Sequence, residues 1–140
     1  LFAILAGTIA VATYRRNARV RRAEWLSTLH SRFFETSTYK RIRQILESKS
    51  EPYVVLRQAL ADNQTNDDVE LLVDYLNFFE FVGSLCELDQ LSNNEADRLF
   101  DYYIKQLAQD HTIKTFVETQ GFESLSRVFA KHGTRNGVSR

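Results

Sequence analysis

Apolar side chains recur along this chain at spacings of three and four residues, with polar and charged residues between them, which is the pattern of helices that bury one face. The opening run, Leu1 to Tyr14 (LFAILAGTIAVATY), is apolar on every side. Beyond it Trp25, Leu26, Leu29, Phe33 and Phe34 keep the helical spacing, so one unbroken helix is predicted from the start of the chain to about Glu35. Ser37 and Thr38 can cap a second helix with Tyr39, Ile42, Ile45 and Leu46 inward and Lys40, Arg41 and Arg43 outward. Ser50, Glu51 and Pro52 restart the chain, since proline suits a first helical turn, and Val55, Leu56, Ala59 and Leu60 follow as an inward stripe.

After the polar loop DNQTN, Asn66 or Asp67 can cap a long helix. The carboxylates of Asp67, Asp68 and Glu70 suit its positive end, and its stripe is Leu72, Leu76, Phe79, Gly83 and Cys86. Ser92 and Glu95 form a capping box for the next helix, with Ala96, Leu99, Phe100, Tyr103, Ile104 and Leu107 inward. The short connection predicts that these two helices pair antiparallel. Ile113, Phe116 and Val117 mark a shorter helix that stops at Gly121. Phe122, Leu125, Val128 and Phe129 mark a last one, ended by Gly133. The expected fold is all-α: an apolar anchor with a basic juxtamembrane segment over 1–22, a bundle of five to six helices over 23–133, and a disordered tail over 134–140.

Composition agrees with helix, with one proline and five glycines in 140 residues. The formal net charge of zero conceals a segregation. Residues 1–50 carry ten Lys/Arg against three Asp/Glu, residues 51–111 three against thirteen, and residues 112–140 five against two. That layout gives the folded chain a dipolar surface, or neutralises itself across helix contacts. Cys86 is the single cysteine, which excludes an intramolecular disulfide and a thiolate metal cluster.

The charge layout changes the meaning of the opening run. Arg15, Arg16, Arg19, Arg21 and Arg22 follow it directly. A secretory signal places its positive charge before the apolar stretch, so the arrangement predicts an uncleaved anchor. By the positive-inside rule the arginine end faces the cytoplasm, which places the N-terminus outside and the remainder inside as a single-pass inner-membrane protein. A span takes roughly 20 apolar residues, so upstream residues before Leu1 are expected to complete it. The competing expectation is a buried helix of a soluble domain. Ala3 with Gly7 and Ala6 with Ala10 repeat the small-xxx-small spacing that lets membrane helices associate, which predicts a homo-oligomer. The arginines then contact anionic headgroups or line an anion-favouring mouth.

Catalytic signatures are sparse. No zinc-protease helix, phosphate loop, dinucleotide fingerprint or nucleophile elbow is present, and His30, His111 and His132 lack the close spacing of a metal site. No cofactor and no metal are expected. Glu80, among Phe78, Phe79 and Phe81, is expected to be partly buried and to need a partner; Arg41, Arg43 and Arg98 are the candidates for a structural ion pair.

Three resemblances bear on function. The string RVFAKH places Arg127 and His132 in an R-x4-H pattern that resembles the higher-eukaryote and prokaryote nucleotide-binding helical bundles, many of them dimeric RNases. That likeness implies RNA or nucleotide binding, with Arg127 on phosphate and His132 in acid–base chemistry. The stretch LNFFEFVGSLCELDQLSNNEADRLFDYYI, behind an apolar anchor, a basic stalk and WLSTLHSRFFE, resembles an uncharacterised bacterial family of small membrane-anchored helical domains with a Phe-Phe-Glu motif. The combination of one membrane helix, a helical cytoplasmic bundle and a degenerate R-x4-H is similar in architecture to the membrane-pore accessory proteins of RNA-targeting CRISPR systems. This implies ring-like assembly and permeabilisation in antiviral defence without nuclease chemistry. The expected function is therefore non-enzymatic: a self-associating membrane protein that couples a cytoplasmic protein partner or signal to the membrane. The alternatives are an RNase or nucleotide-binding bundle and a membrane scaffold subunit of a larger complex.

Overall fold

The computed structural model describes residues 2–135, with side chains over 13–132. Among the described residues the chain is all-α, with seven helices and no strand. These are α1 (Phe2–Glu35), α2 (Ser37–Ser48), α3 (Glu51–Ala61), α4 (Asp67–Glu87), α5 (Asn93–Gln109), α6 (His111–Thr119) and α7 (Glu123–Arg135). They fall into two compact units, Leu1–Thr36 and Ser37–Arg140.

The first unit is α1, continuous over 34 residues as its spacing predicts. Arg15, Arg16, Arg19, Arg21 and Arg22 are all exposed on it. Among the described residues no helix is long and apolar enough to cross a membrane. Most of the predicted anchor, with the small-residue face of Ala3, Ala6, Gly7 and Ala10, lies outside the described side chains.

The second unit is built from local signals that act where the sequence places them. Asn66 accepts a hydrogen bond from Val69 N at 2.9 Å, which satisfies one orphan amide at the start of α4. Ser92 and Glu95 close a reciprocal capping box on α5. Buried Asp110 caps α6 by accepting from the amides of Thr112 and Ile113. The Tyr53 hydroxyl donates to the other Asp110 oxygen, which ties α3 to α6. The turn after α4 needs a left-handed residue, and Asp89 supplies it at φ 55°, a conformation that a short polar side chain tolerates better than most.

α4 is the axis of this unit, packing most extensively against α7 and α2 and also touching α3 and α5. Leu72, Tyr75, Leu76, Phe79 and Val82 are buried along it. Tyr75, Phe78, Phe79 and Phe100 meet edge-on with ring centroids 5.1–5.9 Å apart, the favourable geometry for aromatic quadrupoles. Burial pushes the Tyr75 hydroxyl pKa well up, with the nearby positive charge of Arg43 acting the other way.

Several expectations are corrected at the edges of the helical stripes. Arg43 is buried, its guanidinium 5.9 Å from the centroid of the Tyr103 ring; its long apolar stem makes burial of the inward edge of α2 tolerable. Val55 is half exposed, because α3 turns Leu56, Ala59 and Leu60 inward instead. α7 continues through Gly133 to Arg135, and residues 136–140 of the expected tail lie outside the described residues. α4 does touch α5, yet its larger partner is α7. A Cβ on Gly83 would stand 3.0 Å from the Cβ of Ser124, so the missing side chain is what admits α7 this close.

Candidate functional site

The α4–α7 contact positions the chemistry of the second unit. Glu80 reaches from α4 to the first turn of α7, where its carboxylate accepts from Ser124 N at 3.0 Å and Leu125 N at 2.8 Å. The partner of Glu80 is thus a pair of backbone amides rather than the arginine expected from sequence. Helix starts leave such amides unsatisfied and favour negative charge, so a carboxylate lent by a neighbouring helix acts as a tertiary cap. Arg41 is engaged elsewhere, on Asp68 at 2.9 Å.

Beside this cap α4, α5 and α7 enclose a cavity of about 330 Å³. Phe79, Val82, Ala96, Ile104 and Val128 form its apolar walls, and Asn93, Asp97, Lys131 and His132 supply its polar groups. Cys86 also lines it; burial pushes its thiol pKa up, so it is a neutral lining group rather than a thiolate. An apolar cavity with a few convergent polar groups, of this volume, has the usual form of a small-ligand site.

His132 is buried, with 6% of its surface exposed. Its Nε2 lies 3.6 Å from Asp97 Oδ1 and its Nδ1 lies 3.5 Å from Asp101 Oδ1. Asp97 and Asp101 stand one turn apart on α5, so both carboxylates share the face that meets α7. Asp101 Oδ2 is occupied by the Lys105 ammonium at 2.7 Å.

Arg127 is not part of this group. It is exposed on α7 and pairs with Glu87 at 2.7 Å and Glu123 at 3.4 Å. The hydrogen bond from Arg127 holds the Glu87 carboxyl below its ordinary range, and the same bond raises the arginine. Five positions apart on one helix, Arg127 and His132 point to different surroundings, one toward α4 at the surface and the other inward to α5. The structure does not bring them together. The sequence gives Asp97 and Asp101 only as an i, i+4 carboxylate pair, and their meeting with His132 depends on the packing of α7.

Fold and site together define an all-α bundle with a polar-rimmed interhelical cavity. The chain belongs to the family described as a domain of unknown function, DUF4760, which it matches over residues 1–93. Phe79, Val82, Cys86 and Asn93 of the cavity fall inside the matched segment, and Asp97, Asp101 and His132 fall after it. No curated protein and no solved structure matches the chain.

Proposed function

We propose that this chain is a non-enzymatic protein of the inner membrane that self-associates through its first helix and relays a cytoplasmic partner or signal to the bilayer. The observation that carries the proposal is the order of residues on α1: an uncharged run followed at once by five exposed arginines on the same unbroken helix. Lipid favours the first part, and anionic headgroups on the cytoplasmic side hold the second at roughly 1 kcal/mol per charge. The Ala3, Ala6, Gly7 and Ala10 spacing supports close helix association, and assembly of several copies is the route by which one helix per chain disturbs a membrane in antiviral defence. The cavity of the second unit supports a receiving role, since it has the size and lining of a small-ligand site. The separation of Arg127 from His132 and the surface pairing of Arg127 weigh against RNA cleavage.

Replacing Gly7 and Ala10 together by Leu is expected to reduce the oligomer trapped by crosslinking in detergent and to reduce dye release from anionic vesicles. Unchanged crosslinked species would remove the self-association, and a monomer that releases no dye would leave the scaffold alternative.

A further inference from the structure

We infer that Asp97, Asp101 and His132 form a binding site for one divalent transition-metal ion of the zinc class, bridging α5 to α7. One donor atom from each of the three residues lies within 4.8 Å of the others. Metal–oxygen and metal–nitrogen bonds of about 2.1 Å place tetrahedral donors about 3.4 Å apart. The separation of His132 Nδ1 from Asp101 Oδ1, 3.5 Å, sits at that edge length, and Asp97 Oδ1 lies 3.6 Å from the other nitrogen of the same ring, Nε2. Both exceed the ordinary range of a nitrogen-to-oxygen hydrogen bond, which ends near ~3.2 Å, so a shared proton accounts for them less well.

A second observation comes from the imidazole itself. His132 is more than nine-tenths buried, and its Nδ1 has no hydrogen-bond partner although it faces Asp101. Buried polar atoms are rarely left so, and an ion at the carboxylates supplies the missing partner. Charge agrees: two carboxylates and a neutral imidazole match a doubly positive ion, and a mixed nitrogen and oxygen donor set suits zinc, cobalt or manganese. Lys105 takes Asp101 Oδ2 and leaves Oδ1 toward the histidine. Three protein donors leave a coordination position for solvent or a ligand, and both Asp97 and His132 border the cavity. All three residues belong to the second unit, so the site stands whether or not α1 enters a membrane.

The test uses the tag-free full chain in mild detergent, stripped with chelator and titrated with Zn²⁺ by calorimetry and with Co²⁺ by visible absorption. One saturable ion per chain is expected. Asp97→Asn, at a partly exposed position, should weaken Zn²⁺ binding on the order of 100-fold, at least the loss seen for outer-shell partners. His132→Gln should abolish the cobalt d–d bands. Should that variant not fold, Asp97→Asn with an unchanged circular dichroism spectrum decides the matter. Absence of saturable binding overturns the site. Binding that survives Asp97→Asn also overturns it, since the ion then sits on other donors such as His30, His111 or Cys86. A His132 imidazole whose NMR signals titrate with pH but ignore Zn²⁺ overturns it too, in favour of a proton held between the two carboxylates.

Discussion

Gly83→Leu is expected to cost about 3 kcal/mol or more of folding stability, because it pushes α7 off α4. A bare Cβ at this position already stands 3.0 Å from Ser124 Cβ, 3.1 Å from its carbonyl carbon and 3.2 Å from its carbonyl oxygen. Two of those three atoms are backbone, and the segment they belong to is pinned by the hydrogen bonds that the Ser124 and Leu125 amides donate to Glu80. The helix therefore cannot yield locally, and a leucine side chain must displace it as a whole. Gly83→Ala separates the two opposing effects. Alanine gains about 1 kcal/mol of helix propensity over glycine, but the same contact offsets it, so a net loss of about 1 kcal/mol is expected. Urea unfolding measures both, read as a shift in midpoint at constant slope. A fully stable leucine variant would show that α7 does not dock on α4.

The second large effect is expected at Glu80. Glu80→Ala removes an acceptor shared by two amides at the start of α7, and hydrogen bonds to a charged group contribute about 1.5–3 kcal/mol. A loss of about 2–3 kcal/mol should follow. Glu80→Gln keeps one acceptor oxygen and turns an NH₂ toward the other amide, so it should recover only part of the loss. Both changes release the same turn of α7. Combined with Gly83→Leu they should therefore be less than additive, as residues sharing a partner usually are. If alanine costs nothing, the cap is not formed in solution.

What was legible in the sequence follows the range of the interaction. Helix starts at Asn66 and Ser92 and the stop at Gly121 are set within a few residues, by one side chain and the amides beside it. Residue type and spacing alone specify them. The inward stripes of α4 and α6 were equally local, because a repeat of three and four residues needs no knowledge of what it packs against. Orientation failed at the edges of the stripes. Arg43 and Val55 stand where a helix turns from core to solvent, and only the neighbouring helix decides which side each faces.

The site was less legible because its members come from distant parts of the chain. Glu80 meets its partners 44 and 45 residues on, and the charged residues nearest in the pattern misdirected the expectation toward arginine. A helix N-terminus can neutralise a carboxylate as a cation does, and composition does not distinguish the two. Asp97 and Asp101 lie one turn apart, but nothing local singles them out among the acidic residues of the chain, and His132 joins them only after α7 has folded back onto α5. The R-x4-H spacing drew Arg127 and His132 together in sequence. Five steps along a helix carry side chains to different faces, and the glutamates around Arg127 complete their separation.

The proposed role requires that α1 hold the chain in a bilayer with its arginines inside the cell. Alkaline extraction of membranes from cells making the full-length protein, followed by protease treatment from each side, decides it. The protein is expected to stay with the lipid pellet, with the α2–α7 unit cut only when the cytoplasmic face is open. Release of the intact protein into the soluble fraction, or cleavage of that unit from the outer face, would contradict it.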